Sequence, residues 1–99
     1  MKPITHHTHT APAPAQEPDP RPGNYYVSAL DGPAHYLLLG PFNRHADALA
    51  RVDPVRAYAT AHGGPKAHFM AYGTVRMADD VTQPGSANQY LPELLALTA

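Results

Sequence analysis

Between Asn24 and Ala78 the chain alternates, turns helical and alternates again. Tyr25, Val27 and Ala29 fall on one side of a period-two pattern and Tyr26, Ser28 and Leu30 on the other, which predicts a strand. Asp31-Gly32 is a hairpin dipeptide, and Pro33 after it has no N–H for a ladder, so the loop is expected to be slightly longer than two residues. A second strand is predicted from His35 to Leu39, apolar on both sides as in a strand covered on both faces, with Gly40-Pro41 ending it. Ala48, Leu49, Val52, Val55 and Ala59 then recur on one helical stripe, which predicts a helix from Arg44 to about His62 with Asn43 as its N-cap. Pro54 removes a backbone donor in its middle. The helix should kink there, or break with Asp53 capping a second helix that starts at Pro54. His62-Gly63-Gly64-Pro65 is a stop, with Gly63 left-handed.

A third strand is predicted from Ala67 to Met77. Phe69, Ala71, Gly73, Val75 and Met77 share one face, and His68, Met70, Tyr72, Thr74 and Arg76 the other. Gly73 in its interior predicts a bulge or a close approach of the helix. A right-handed crossover through the helix makes the second and third strands parallel, with the first between them and antiparallel to both. The expected fold is therefore α+β: a small two-layer ββαβ unit, strand order 2-1-3, one kinked helix on one face.

The ends differ from this block. Residues 1–23 hold six of the twelve prolines and almost no sizeable apolar group, which predicts a disordered, partly polyproline-like tail. Within it His6, His7 and His9 could weakly chelate a divalent ion, but a trio without fixed geometry is read as polar tail, and no metal or other cofactor is expected. Residues 79–99 loosen through Gln83-Pro84-Gly85-Ser86 and then offer a short apolar helix at Pro92–Leu97, whose leucines, with Tyr90 and Leu91, should dock somewhere. The folded block is thus expected over 24–78.

Charge and chemistry narrow the function by exclusion. The net charge is −1: zero over 1–23, +2 over 24–78 and −3 over 79–99. A +2 block lacks the dense Lys/Arg stripe that tracks phosphates, so nucleic acid is an unlikely partner. No cysteine is present, which fits a reducing compartment, and neither a signal-peptide run nor a membrane span is seen, so the expectation is cytoplasmic. Ser28, Ser86 and the scattered threonines stand in no nucleophile motif, and Asp31, Asp47 and Asp53 are spread over a turn and a helix. His35 and His68, on the second and third strands, could come close across the sheet and form a pH-sensitive pair, or simply be surface residues. A non-enzymatic protein is expected.

What remains is surface. A three-stranded sheet with one helix leaves a second face without a covering layer. Tyr26, Ser28, Leu30, His68, Met70, Tyr72, Thr74 and Arg76 are the candidates there, and Tyr, Met and Arg are residue types enriched at protein interfaces. The expected partner-binding residues are Tyr26, Met70, Tyr72, Arg76 and His68, for a protein partner or a second copy. A solvated face, or one covered by the segment from Tyr90 to Leu97, is the plainer alternative. Two tyrosines on an open sheet also suit weak stacking of single-stranded nucleic acid, with Tyr26 and Tyr72 each receiving a base.

Two resemblances add to this. Tyr36-Leu37-Leu38-Leu39-Gly40-Pro41-Phe42, followed by His45-Ala46-Asp47-Ala48-Leu49, locally resembles the strand-to-helix corner of sporulation-related repeat (SPOR) domains, which implies peptidoglycan binding. The block as a whole, with Tyr25-Tyr26-Val27-Ser28 at its start and Phe69-Met70-Ala71-Tyr72-Gly73-Thr74 at its end, more closely resembles small uncharacterised proteins carried by plasmids, integrative elements and phages. That resemblance implies a binder or inhibitor of a host protein, including anti-restriction or anti-CRISPR activity.

Overall fold

The alternation at Asn24 becomes β1, Asn24–Asp31, which lies between the other two strands. β2, Ala34–Phe42, and β3, Ala71–Met77, each pair with it antiparallel, so the order is β2-β1-β3 as the pattern predicts. The computed structural model describes residues 17–96. Most of the expected tail, with His6, His7 and His9, lies outside the described residues, as does Leu97 of the expected last helix.

Asp31 pairs with Ala34, so the hairpin loop is only Gly32-Pro33, shorter than expected. Gly32 takes φ 59, and the fixed negative φ of proline suits the position after it, the arrangement of a II′ turn. β2 does not end at Gly40-Pro41 either. Its pairing skips from Ser28↔Leu37 to Val27↔Leu39 and resumes at Tyr25↔Phe42, so the irregularity expected at Gly73 lies in β2, while β3 pairs without a break. Gly40 has φ 136, and a Cβ there would stand 2.8 Å from the Tyr25 carbonyl oxygen, which only glycine avoids.

The backbone of Gly40 is held by one side chain. Its N–H donates to Asn88 Oδ1 at 3.0 Å, and Asn88 Nδ2 donates to its carbonyl at 2.6 Å. Amides of Gly85, Ser86 and Ala87 donate to the carbonyls of Gly40, Leu37 and Leu38 at 3.1, 2.9 and 2.8 Å. The segment after β3 thereby covers the outer edge of β2 from Leu37 to Gly40, a row of groups that would otherwise invite another strand.

The helical run breaks at Ala50-Arg51, ahead of Pro54. α1 is His45–Leu49 and α2 is Val52–His62, together a rod bent by 39°. Pro54 falls in the first turn of α2, where its missing N–H has no intrahelical acceptor to lose. Neither expected cap is used: Arg44 and Arg51 occupy the N-cap positions without a side-chain bond, and Asp53 pairs with Arg56 at 2.7 Å. Gly64, at φ 82, is the left-handed residue after α2, whereas Gly63 sits at φ −92. Pro65–Phe69 coils into a 3-10 turn, so β3 begins at Ala71 and not at Ala67. The Tyr72 hydroxyl secures that turn by donating to the Ala67 carbonyl at 2.8 Å.

The core forms where Tyr25, Val27, Ala29, Leu39, Phe42 and Tyr72 of the sheet meet Ala48, Val52 and Val55 of the helices and Leu91. The leucine-rich end docks on this helical layer. α3, Pro92–Leu95, sets Leu94 and Leu95 against the core, and Arg51 Nε donates to the Leu94 carbonyl at 2.9 Å. On the far face Tyr26 is fully buried, its hydroxyl donating to the Gln83 carbonyl at 2.6 Å. Asn24 Nδ2 reaches the Val81 carbonyl at 2.8 Å, so the chain after β3 covers that end of the face.

Because the Gly40 amide is half-buried and has Asn88 as its acceptor, Asn88→Ala should cost about 1–3 kcal/mol, the penalty of stranding such a donor. Gly85→Ala should be at least as damaging, since its Cβ would lie 2.5 Å from the Leu38 carbonyl carbon. Urea unfolding followed by circular dichroism measures both; a midpoint equal to wild type for Asn88→Ala would remove the clamp from the account.

Candidate functional site: an aromatic cleft beside the second helix

The far end of α2 and the first residues of β2 do not close on each other. Between them is a cleft of about 430 Å³, bounded also by the 3-10 turn and by residues 86–90. Its floor is apolar and buried: Val55, Ala67 and Tyr72. Leu38, Ala59, Met70 and Ala87 form half-buried walls. Its rim is aromatic, with Tyr36 39% and Tyr90 60% exposed. Tyr58, on α2, stacks on Tyr90 with ring centroids 6.3 Å apart and planes 18° apart, and meets His62 one turn on at 4.5 Å.

Each wall has a local cause. Tyr58 and His62 are four residues apart and so share one face of α2. Tyr36 lies opposite Ala29, which puts it on the helical side of the sheet. Ala87 and Tyr90 are delivered by the Asn88 clamp. No Asp, Glu, Lys or Arg lines the cleft. The hydroxyls of Tyr36, Tyr58 and Tyr90 have no protein hydrogen-bond partner among the described residues, whereas that of Tyr72 is used.

The five expected contact residues do not share a face. In the register Tyr72 opposes Ala29, Thr74 opposes Val27 and Arg76 opposes Tyr25, so this side of β3 turns toward the helices, while Tyr26 opposes Val75 on the far side. Tyr26 and Tyr72 are therefore on opposite faces and both buried. Met70 and Tyr72 belong to the cleft, with Met70 Sδ 4.0 Å from the Tyr72 hydroxyl. Arg76 is exposed at the other end, its guanidinium 5.9 Å from the Tyr25 ring centroid and donating to the Pro22 carbonyl. His68 is exposed on the 3-10 turn, off the strand ladder that would bring it to His35. Burial of the Tyr26 and Tyr72 rings raises both phenol pKa values above the usual 10.0. Alanine at either position should cost about 3–5 kcal/mol, as truncation of a buried aromatic does, and flatten the thermal transition, so neither is a surface probe.

A second polar cluster ties residues 17–23 to the body. His45, at the start of α1, is buried and stacked 5.0 Å from Tyr25; its Nδ1 accepts the Asp19 N–H at 2.8 Å. That bond leaves Nε2 to carry the proton, 2.9 Å from Thr74 Oγ1. The Tyr25 hydroxyl donates to the Arg21 carbonyl at 2.8 Å. Arg21 grips the Asp19 carboxylate, 2.7 Å away, and holds it well below the usual carboxylate range. Burial lowers the pKa of His45 from its ordinary 6.5, opposed by the Asp19 charge.

The unfolded chain therefore binds the His45 proton more tightly than the folded one. Stability should be complete above about pH 6.5 and drain away as the pH falls from there to the folded-state value. Urea midpoints at pH 7 and pH 5 test this, and His45→Phe should shrink the difference between them.

Fold and cleft define a small two-layer α+β module with an apolar, aromatic-rimmed recess. Compared with known proteins, the chain matches no family model, and no curated protein or solved structure is similar to it. No helix among the described residues is long and apolar enough to cross a membrane, and no group of three His, Asp or Glu there could hold a metal ion.

Proposed function

We propose that this protein is a non-enzymatic binding module that holds an uncharged, apolar segment of a protein partner in the aromatic cleft. The observation that carries this reading is the pairing of a buried apolar floor with tyrosines left 39% and 60% in water at Tyr36 and Tyr90. A recess of 300–1,000 Å³ with apolar walls and a few polar groups is the usual form of a binding site, and rigid tyrosines lose little entropy on contact. The cleft also lacks the basic lining that phosphates require, which favours protein over nucleic acid. Relative to the sheet face expected from the alternation, the contact surface moves to the helical side and keeps Met70 and Tyr72. Inhibition of a host protein, as the resemblance to mobile-element proteins implies, is one form such binding takes.

A random-peptide library displayed on phage and panned on the full chain tests the proposal without a known partner. Peptides should be enriched on the wild type and lost on Tyr58→Ala/Tyr90→Ala, whose circular dichroism should stay native because Tyr90 is largely exposed and Tyr58 only half-buried. Enriched peptides that bind the double variant equally well, or none at all, would overturn it.

A further inference from the structure

We infer that the segment this cleft takes is a proline-containing extended peptide, read by ring stacking and by its main-chain carbonyls; this rests on the cleft being the module's contact surface. The hydroxyls at the rim offer O–H donors that a ligand's acceptors can use. The hydroxyls of Tyr36, Tyr58 and Tyr90 are without protein partners among the described residues, and the only ionisable lining group besides the tyrosines is the His62 imidazole, with no carboxylate, Lys or Arg beside it. A polyproline-type segment presents its carbonyls to the surroundings with no internal hydrogen bonds, and its rings pack flat on aromatic side chains. It also enters already ordered, so it loses less entropy than a flexible apolar chain.

Strand addition, the competing mode for an extended peptide, needs a free ladder at the site. Beside the cleft, the β2 carbonyls of Leu37, Leu38 and Gly40 are already taken up by the amides of Ser86, Ala87 and Gly85. A ligand in the cleft is therefore read through side chains and not through a backbone ladder.

The molecule already holds one such segment by the same kind of contact. Pro18-Asp19-Pro20-Arg21-Pro22 lies against the opposite end of the helical layer, where the Tyr25 hydroxyl donates to the Arg21 carbonyl and Arg76 Nη2 to the Pro22 carbonyl at 3.2 Å. The cleft repeats the ingredients, tyrosine hydroxyls beside an aromatic stack, with no segment of the described chain across them. The chain also carries the matching ligand class, since the uncharged run Ala11-Pro12-Ala13-Pro14-Ala15 precedes the described residues.

Titration of the ¹⁵N-labelled full chain with hexaproline, and with a glycine-serine hexapeptide as control, tests this. Hexaproline should shift the amides of Ala59, His62, Ala87 and Tyr90 saturably while the control does not. Tyr90→Phe, which keeps the ring and loses the donor, should weaken binding about three- to tenfold, the fold-change of a single neutral hydrogen bond. Tighter hexaproline binding by Pro12→Ser/Pro14→Ser would show the chain's own run competing for the cleft and would support the same ligand class. Shifts that do not saturate, lie away from the cleft or are matched by the control overturn the inference, as does full affinity in Tyr90→Phe. A proline-free consensus from the peptide library that still needs Tyr58 and Tyr90 would remove this inference and leave the binding function standing.

Discussion

The two-pronged bond between Asn88 and the backbone of Gly40 is the constraint on which the rest of the architecture leans. Gly40 sits where β2 departs from regular pairing, with a φ open only to glycine, so its amide and carbonyl cannot both be served by β1. Asn88 serves them, and in doing so fixes the register of residues 85–88 along the strand. Two consequences follow from one side chain: the β2 edge is covered from Leu37 to Gly40, and Ala87, Tyr90 and Leu91 are placed against the helical layer. Leu91 completes the core and Tyr90 becomes a wall of the cleft. A short amide at position 88 thus links sheet protection to the aromatic cleft.

Strand order, the antiparallel pairing and the position of the helices were legible from alternation and spacing alone, because those patterns are set by burial on one face. The phase between strands was not. Each of β1 and β3 alternates cleanly, but nothing in either pattern says which half of β3 joins Tyr25, Val27 and Ala29. Gly73 suggested that its own side met the helix, since small residues permit close approach; in fact the space beneath α2 is filled by Tyr72, and Gly73 lies opposite Ser28 on the far face. A one-residue difference in phase exchanges the faces, and with them the whole expected contact surface.

The cleft itself was only partly readable. Tyr90 beside Leu91 read as apolar surface that had to dock, and Met70 and Tyr72 as contact residues, but Tyr58 and His62, four residues apart on the helix, went unmarked. What joined them was a non-local clamp between residues 40 and 88, together with a hydrogen bond from Tyr72 to Ala67, five residues back, that holds residues 65–69 in a turn instead of a strand. The same non-locality explains the missed break at Ala50-Arg51. Arg51 reaches the carbonyls of Leu94 and Ala96, so the bend is stabilised by a segment more than forty residues away and Pro54 is left a harmless place in the next turn.

The two ends of the helical layer show the same physics put to different uses. At the His45 end, aromatic stacking and carbonyl-directed donors are spent on the chain's own residues 17–23, which adds to the stability of a small fold. At the Tyr58 end the stack stands open. Walls in contact with water keep their hydration, so the recess does not carry the full penalty of a sealed void, but it forgoes the contacts that a filled site would make. At about 0.05–0.15 kcal/mol per residue, the described residues amount to a total stability on the order of 4–12 kcal/mol. A ligand at a hundred times its Kd adds about 2.7 kcal/mol to that. For a fold of this size such a ligand would supply a substantial fraction of what holds it together, so binding at the cleft would be reported by a rise in stability.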